Sequence, residues 1–236
     1  MVRDVVQAGA DFIKFFNTGF GRDTQSGTTR SYTLEETRAL VNEAHTLGKT
    51  VACHAIGGQG LRTAIEAGVD SIEHGCLMSL DSDLFKLMAD NGSYLVPTLT
   101  VFTFHAAQGN LHAQAEANAF RQQHIETVQK ALSEGVRVVA GTDAGGWEHG
   151  NNAKELELLV EAGMSPMQSL VAATSWAAGC LGLERTVGTI EPGKLADVIV
   201  VDGDPLTDIT ILQNKEQISI VMKDGQIYRD RLSKND

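Results

Sequence analysis

Five residues able to bind or activate a ligand each close a short apolar run: Lys14, His54, His74, Thr98 and Asp143. A glycine leads every run. Gly9 leads through Ala-Asp-Phe-Ile to Lys14, Gly48 through Lys-Thr-Val-Ala-Cys to His54, and Gly68 through Val-Asp-Ser-Ile-Glu to His74. Gly92 leads through Ser-Tyr-Leu-Val-Pro to Thr98, and Gly135 through Val-Arg-Val-Val-Ala-Gly-Thr to Asp143. Two imidazoles, a carboxylate and an amine brought to one place would make a site for a divalent ion such as zinc. The chemistry of such a site is metal-assisted hydrolysis.

What must position these side chains is a repeated helix-to-strand unit. Parallel strands buried on both faces read as near-continuous apolar runs, and a glycine just past each helix supplies the turn that returns the chain to the sheet. The pattern predicts strands near 11–16, 49–54, 69–74, 93–98 and 136–142, alternating with helices. In a barrel of such units the active site lies at the C-terminal ends of the strands, where the polar closers fall. Thr33 and Glu36 have capping-box spacing and open a helix that runs to Leu47. Further helices are expected over 60–67, 81–90, 112–134 and 153–162, and one over 165–181 with Ser165 as cap and Pro166 at its first position. Residues 187–236 change character: β-branched strands over 196–201 and 218–222 and a turn at Lys223-Asp224-Gly225-Gln226 predict a small β subdomain following an α/β body over 1–186.

Composition narrows the class of protein. A chain of 236 residues, 42% hydrophobic, can bury a substantial core. The net charge of -11, from 30 acidic against 19 basic residues, leaves no basic stripe for nucleic acid. Cys53, Cys76 and Cys180 are odd in number and lack CxxC spacing, which fits reduced thiols and a cytoplasmic location. No apolar run reaches the length of a membrane span, so no membrane partner is expected. The opening Val-Arg-Asp-Val-Val-Gln-Ala-Gly reads as the end of a helix rather than a beginning.

Each closer also has an ordinary structural explanation. One histidine at a strand end is commonly just hydrogen-bonded; two at matched positions in successive units point to a site. Lysine ending an apolar strand is costly unless its charge is paired or removed. Lys14 therefore either forms a Schiff base, pairs with an acid such as Asp143, or is carboxylated to give a bridging anionic ligand, the last being the most economical beside two histidines and an aspartate. Thr98 carries no required role. Strand alternation turns Cys53 away from His54 into the core, and Cys76 and Cys180 read as small buried hydrophobes. His45, His105, His112 and His124 have no matching partners, and most are expected to be solvated.

Phe12-Ile13-Lys14, Ala52-Cys53-His54-Ala55, Ser71-Ile72-Glu73-His74-Gly75, Gly141-Thr142-Asp143-Ala144-Gly145 and the segment from Val187 through Ile190-Glu191-Pro192-Gly193-Lys194 to Asp197 together resemble the amidohydrolase superfamily. The likeness is to its imidazolonepropionase-related and metal-dependent Xaa-Pro dipeptidase branch, and it covers essentially the whole chain. The resemblance implies a (β/α)8 barrel with one or two divalent ions, zinc first among them. It assigns Lys14 as a carboxylated bridging ligand, His54 and His74 as ligands of the more exposed metal, and Asp143 as ligand of the buried metal and catalytic proton acceptor. The reaction implied is hydrolysis of an amide, peptide or cyclic amide C–N bond in a small-molecule or dipeptide-like substrate. His149, on the loop after Asp143, stands where it could contact that substrate.

Two departures stand beside the match. Amidohydrolases open on a His-x-His pair, and no such pair occurs here. The chain accordingly reads as N-terminally truncated, holding the last five βα units of a TIM-type barrel and expected to be impaired when isolated. Five strands cannot close a barrel built for eight, so an open sheet with an exposed inner face is expected, covered by self-association or by a missing N-terminal half. Ile56 is the second departure, since many relatives carry tyrosine or histidine two residues after the strand ligand. Two other functions follow from the same residues: a noncatalytic remnant or assembly subunit, and a Schiff-base lyase acting through Lys14.

Overall fold

The computed structural model describes residues 1–19, 28–107, 111–147 and 149–232. α1 (Val2–Gln7) and β1 (Ile13–Phe16) are followed by α2 (Leu34–Thr46), β2 (Val51–Ala55), α3 (Gly58–Glu66), β3 (Ser71–His74), α4 (Asp83–Asn91) and β4 (Tyr94–Val96). Then come α5 (Leu99–Ala106), α6 (Leu111–Ser133), β5 (Arg137–Val138), α7 (Lys154–Glu161), α8 (Pro166–Ala173) and α9 (Ser175–Cys180). Local chemistry sets several of these boundaries. Thr33 and Glu36 form the capping box that starts α2, Ser165 and Gln168 form another at α8 with Pro166 inside it, and Gly92 ends α4 in the left-handed region at φ 72.

All five strands join one parallel sheet in the order β1-β2-β3-β4-β5, each unit beside the one before it. Ile13, Phe15, Val51, Cys53, Ile72, Leu95 and Val138 point to the helices and are buried there in one apolar core. Alternation puts Lys14, Phe16, Ala52, His54, Ser71 and Glu73 on the opposite, inner face. Among the described residues the sheet does not close, and Phe12 and Phe16 are 45% and 43% exposed. The expected open sheet is thus present, with an apolar inner face at the β1 edge.

Three elements differ from the sequence pattern. β5 is two residues long rather than seven, because after Val139 N–H bonds the Leu95 carbonyl, Ala140 N–H turns away to the carbonyl of Ala172 in α8. The helix expected over 165–181 breaks at Thr174, φ -124 and ψ -92, whose hydroxyl bonds back to the Leu170 carbonyl at 2.7 Å. α5, rich in β-branched and aromatic residues, was not visible as a helix at all.

Close approach matters most where α3 meets the end of β1. Asn17 Nδ2 donates to the Gly60 carbonyl at 2.8 Å, and a Cβ on Gly60 would lie 2.4 Å from the Asn17 carbonyl oxygen. Gly60→Ala is therefore expected to destabilise the chain by about 1–3 kcal/mol through overpacking. Urea unfolding reads this as a lower midpoint; an unchanged midpoint would show that the two backbones part easily.

β6 (Val198–Val201), β7 (Ile218–Lys223) and β8 (Gln226–Asp230) form a separate antiparallel sheet. Asp224 and Gly225, at φ 50 and 75, supply the two positive values that a two-residue hairpin of type I′ needs. Among the described residues no helix is long and apolar enough to cross a membrane.

Candidate functional site

His54 and His74 meet at the C-terminal ends of β2 and β3. Strict alternation would send His74 to the helix side with Ile72, but its φ of 76 breaks the strand and its ring lies 4.5 Å from that of His54, edge to face. Phe16 flanks His54 at 4.8 Å and Phe102 of α5 flanks His74 at 5.6 Å between ring centroids. Thr98 and Asp143, the closers after β4 and β5, also hold positive φ, at 55 and 52. Three successive strand ends thus finish on a left-handed, non-glycine residue, a conformation that costs energy and collects at functional sites.

Hydrogen bonding selects the tautomers of both rings. Thr98 Oγ1 lies 2.6 Å from the Pro97 carbonyl oxygen and 2.7 Å from His74 Nδ1. Two oxygens at that distance repel unless a proton lies between them, so the hydroxyl donates to Pro97 and accepts from His74. Nδ1 of His74 therefore carries the proton and Nε2 the lone pair. His54 Nε2 is 3.3 Å from the Gly19 carbonyl, which can only accept, so Nε2–H donates and Nδ1 is the acceptor nitrogen of that ring.

Electrostatics keep both rings neutral. Burial first, then the charge of Lys14, lowers His54; burial, then His54 and Lys14, pushes His74 well below the usual 6.5. Neutral imidazole is the form that binds a metal. Lys14, beside Ala52 in register and one step down the same face from His54, has its Nζ 5.8 Å from the Phe16 ring centroid and makes no ion pair with a described residue. Asp143 is exposed and acts on His54 in the opposite sense to Lys14. His149 is exposed beyond it.

Several participants escaped the sequence pattern. Glu73, beside His54 in register, shares the inner face; it accepts from Ser71 Oγ at 2.7 Å, and burial raises it while Lys14 lowers it. His124, one of four histidines most of which are expected in solvent, is fully buried, with Nε2 donating to the His74 carbonyl at 3.1 Å. Its burial pushes it down to about 4. Glu155 of α7, also fully buried, accepts from Leu99 N and Thr100 N at the start of α5. His45, in contrast, is exposed and pairs with Asp70 at 2.8 Å, while the side chain of His112 lies outside the described residues. Cys76 is buried as expected, but Cys180 is only partly so. Nothing local in the sequence marks Glu155 or His124, because each acts across about 50 residues of chain.

Comparison with known proteins decides what this arrangement belongs to. A model of the amidohydrolase family matches residues 2–228. The chain belongs to the amidohydrolase family. This amidohydrolase is 31% identical over 236 residues to ochratoxinase of Aspergillus niger, covering 97% of the chain and 48% of that protein. It is 26% identical over 209 residues to imidazolonepropionase of Treponema denticola, covering 85% and 46%. Among solved structures it matches a Xaa-Pro dipeptidase with bound methionine in the active site, with a TM-score of 0.86, 40% identity, and coverage of 96% of this chain and 56% of that one. Against A. niger ochratoxinase the TM-score is 0.85 at 30% identity, covering 97% and 53%. The chain spans about half the length of the curated relatives it matches. Its parallel sheet is accordingly part of a TIM-type barrel, as the repeated units implied.

The amidohydrolase family generally uses a divalent metal. The residues fit such an ion in kind: two adjacent neutral imidazoles, one with its tautomer held by a hydroxyl, as a metal-binding histidine requires. In number they fall short, for among the described residues no three His, Cys, Asp or Glu side chains gather as a metal cluster.

Proposed function

We propose that the amidohydrolase hydrolyses amide, peptide or cyclic-amide C–N bonds in small, dipeptide-like substrates, in the manner of Xaa-Pro dipeptidases and imidazolonepropionases. The observation that carries this reading is the pair of neutral imidazoles 4.5 Å apart at the strand ends. His54 and His74 would hold one divalent ion, with zinc suited to such donors, and Lys14, once carboxylated by carbon dioxide, would with Asp143 supply oxygen ligands for a second. A bound ion there supplies Lewis-acid polarisation of the scissile carbonyl and of the attacking water. Asp143, exposed at the mouth of the sheet, takes the proton of that water on its carboxylate and returns it to the departing amine. His149 contacts the substrate from the loop beyond.

Division of labour follows the two sheets: residues 1–186 carry the chemistry, and 187–236 form the β subdomain. Further chain, from a second copy or an N-terminal half, would cover the inner face where Phe12 and Phe16 are exposed. The reduced thiols favour a cytoplasmic setting.

The test is metal content per chain by mass spectrometry on protein purified without chelator, followed by hydrolysis of a panel of Xaa-Pro dipeptides and N-acyl amino acids. About one zinc-like ion per chain, or two, is expected. Absence of any metal, together with no turnover after zinc is added, would overturn the reading in favour of a noncatalytic scaffold.

A further inference from the structure

Thr98 stands where the cap of α5 belongs and does not cap it. An N-cap residue normally has extended backbone and turns its side-chain oxygen to an N–H two or three residues on. Thr98 has φ 55 and ψ 45 and makes no side-chain bond to the helix. Its hydroxyl is committed elsewhere, accepting from His74 Nδ1 at 2.7 Å and donating to Pro97 at 2.6 Å.

The N–H groups thereby left over are taken from another helix. Glu155 of α7 accepts from Leu99 N at 2.9 Å and from Thr100 N at 2.8 Å, and Thr100 Oγ1 donates to the same carboxylate at 2.5 Å. Glu155, Thr98 and His74 are all buried. All three bonds of this carboxylate serve a single helix start, and the residue just before that start holds the histidine ring.

We infer that Glu155 is a positioning residue for His74: capping α5 in place of Thr98, it releases the Thr98 hydroxyl to hold His74 Nδ1–H and so keeps the lone pair on Nε2. Without Glu155, Leu99 and Thr100 are left as buried donors, and the acceptor in the ordinary cap position is the hydroxyl of Thr98 itself. Its rotation toward α5 withdraws the partner of Nδ1, and both neutral tautomers of His74 become populated. The inference rests on the hydrolase reading only where it touches metal affinity.

Two-bond proton–nitrogen correlation spectra of the metal-free chain report the His74 tautomer directly. In the parent protein a single Nδ1–H form is expected. In Glu155→Gln the two ring-nitrogen shifts should move toward a common average, and zinc affinity should fall about 10- to 100-fold. In a Thr98→Val background, adding Glu155→Gln should move the His74 shifts no further. An unchanged tautomer in folded Glu155→Gln overturns the inference, as does an effect that persists without the Thr98 hydroxyl. Should Glu155→Gln fail to fold, Thr100→Ala removes only the 2.5 Å bond and is read in the same way. A smaller shift in the same direction supports the inference, and none overturns it. A tautomer shift in a chain that takes up no metal leaves the inference standing and removes the hydrolase reading; metal uptake with the tautomer unchanged in Glu155→Gln does the reverse.

Discussion

Replacing either His54 or His74 by alanine is expected to reduce zinc affinity about 100-fold or more, while the fold survives. Four-ligand structural zinc sites gain about 10–16 kcal/mol at neutral pH, so each ligand is worth roughly 3 kcal/mol, or two orders of magnitude. The two substitutions differ in their structural consequences. His54 bonds the Gly19 carbonyl through a long contact of 3.3 Å. Loss of the His74 ring orphans the buried Thr98 hydroxyl oxygen as an acceptor and adds about 1–3 kcal/mol of destabilisation. Isothermal titration with zinc, paired with urea unfolding, separates the two effects. Equal zinc affinity in parent and both variants would place the metal elsewhere and sink the assignment.

The second large effect is on stability against pH, where two buried groups oppose each other. Burial holds His124 at about 4 in the fold against an ordinary 6.5, so its neutral ring contributes stability that is complete above pH 6.5 and is lost as the pH falls toward 4. Glu155 is raised by burial from 4.5 to about 7, against the pull of its three donors, so the fold prefers its protonated form and loses stability as the pH rises from 4.5 to 7. Each spans about 3 kcal/mol, and over their shared window the slopes largely cancel. His124→Gln removes the acid-side loss, leaving stability that declines from pH 4.5 to 7. Glu155→Gln removes the alkaline-side loss, leaving stability that declines from pH 6.5 to 4. Free energies of urea unfolding at intervals between pH 4 and 8 should show the two variants with opposite slopes. Parallel curves would mean that neither group is as buried as the packing around His74 implies.

What the sequence encodes locally was legible. A glycine, an apolar run and a polar closer mark each βα unit, because the sheet itself imposes the period and sets the closers at one end. The capping boxes at Thr33 and Ser165 were equally plain, each being a contact over three residues. The expected neighbourhood of His54 and His74 follows from their matched places in adjacent strands. The apparatus that aims them was hidden. His74 reaches His54 only through a left-handed backbone, and no residue type announces that. α5 is helical against the preference of its threonines, valine and phenylalanines because a carboxylate 55 residues away satisfies its start. His124 looked like one of several unremarkable helical histidines until the fold set it under the carbonyl of His74. Contacts of this separation are decided by packing, and a single chain read by period and spacing does not display them.

His74, Thr98 and Asp143 leave their strands at φ 76, 55 and 52, each a bend that a glycine would adopt without strain. The fold therefore inscribes its chemical end in the course of the main chain as well as in its side chains. A descendant that lost both imidazoles could keep the three bends as a scar, and would still be traceable by them to this family. Selection for stability alone would replace these residues by glycine, which keeps the bends and erases the side chains that stand on them.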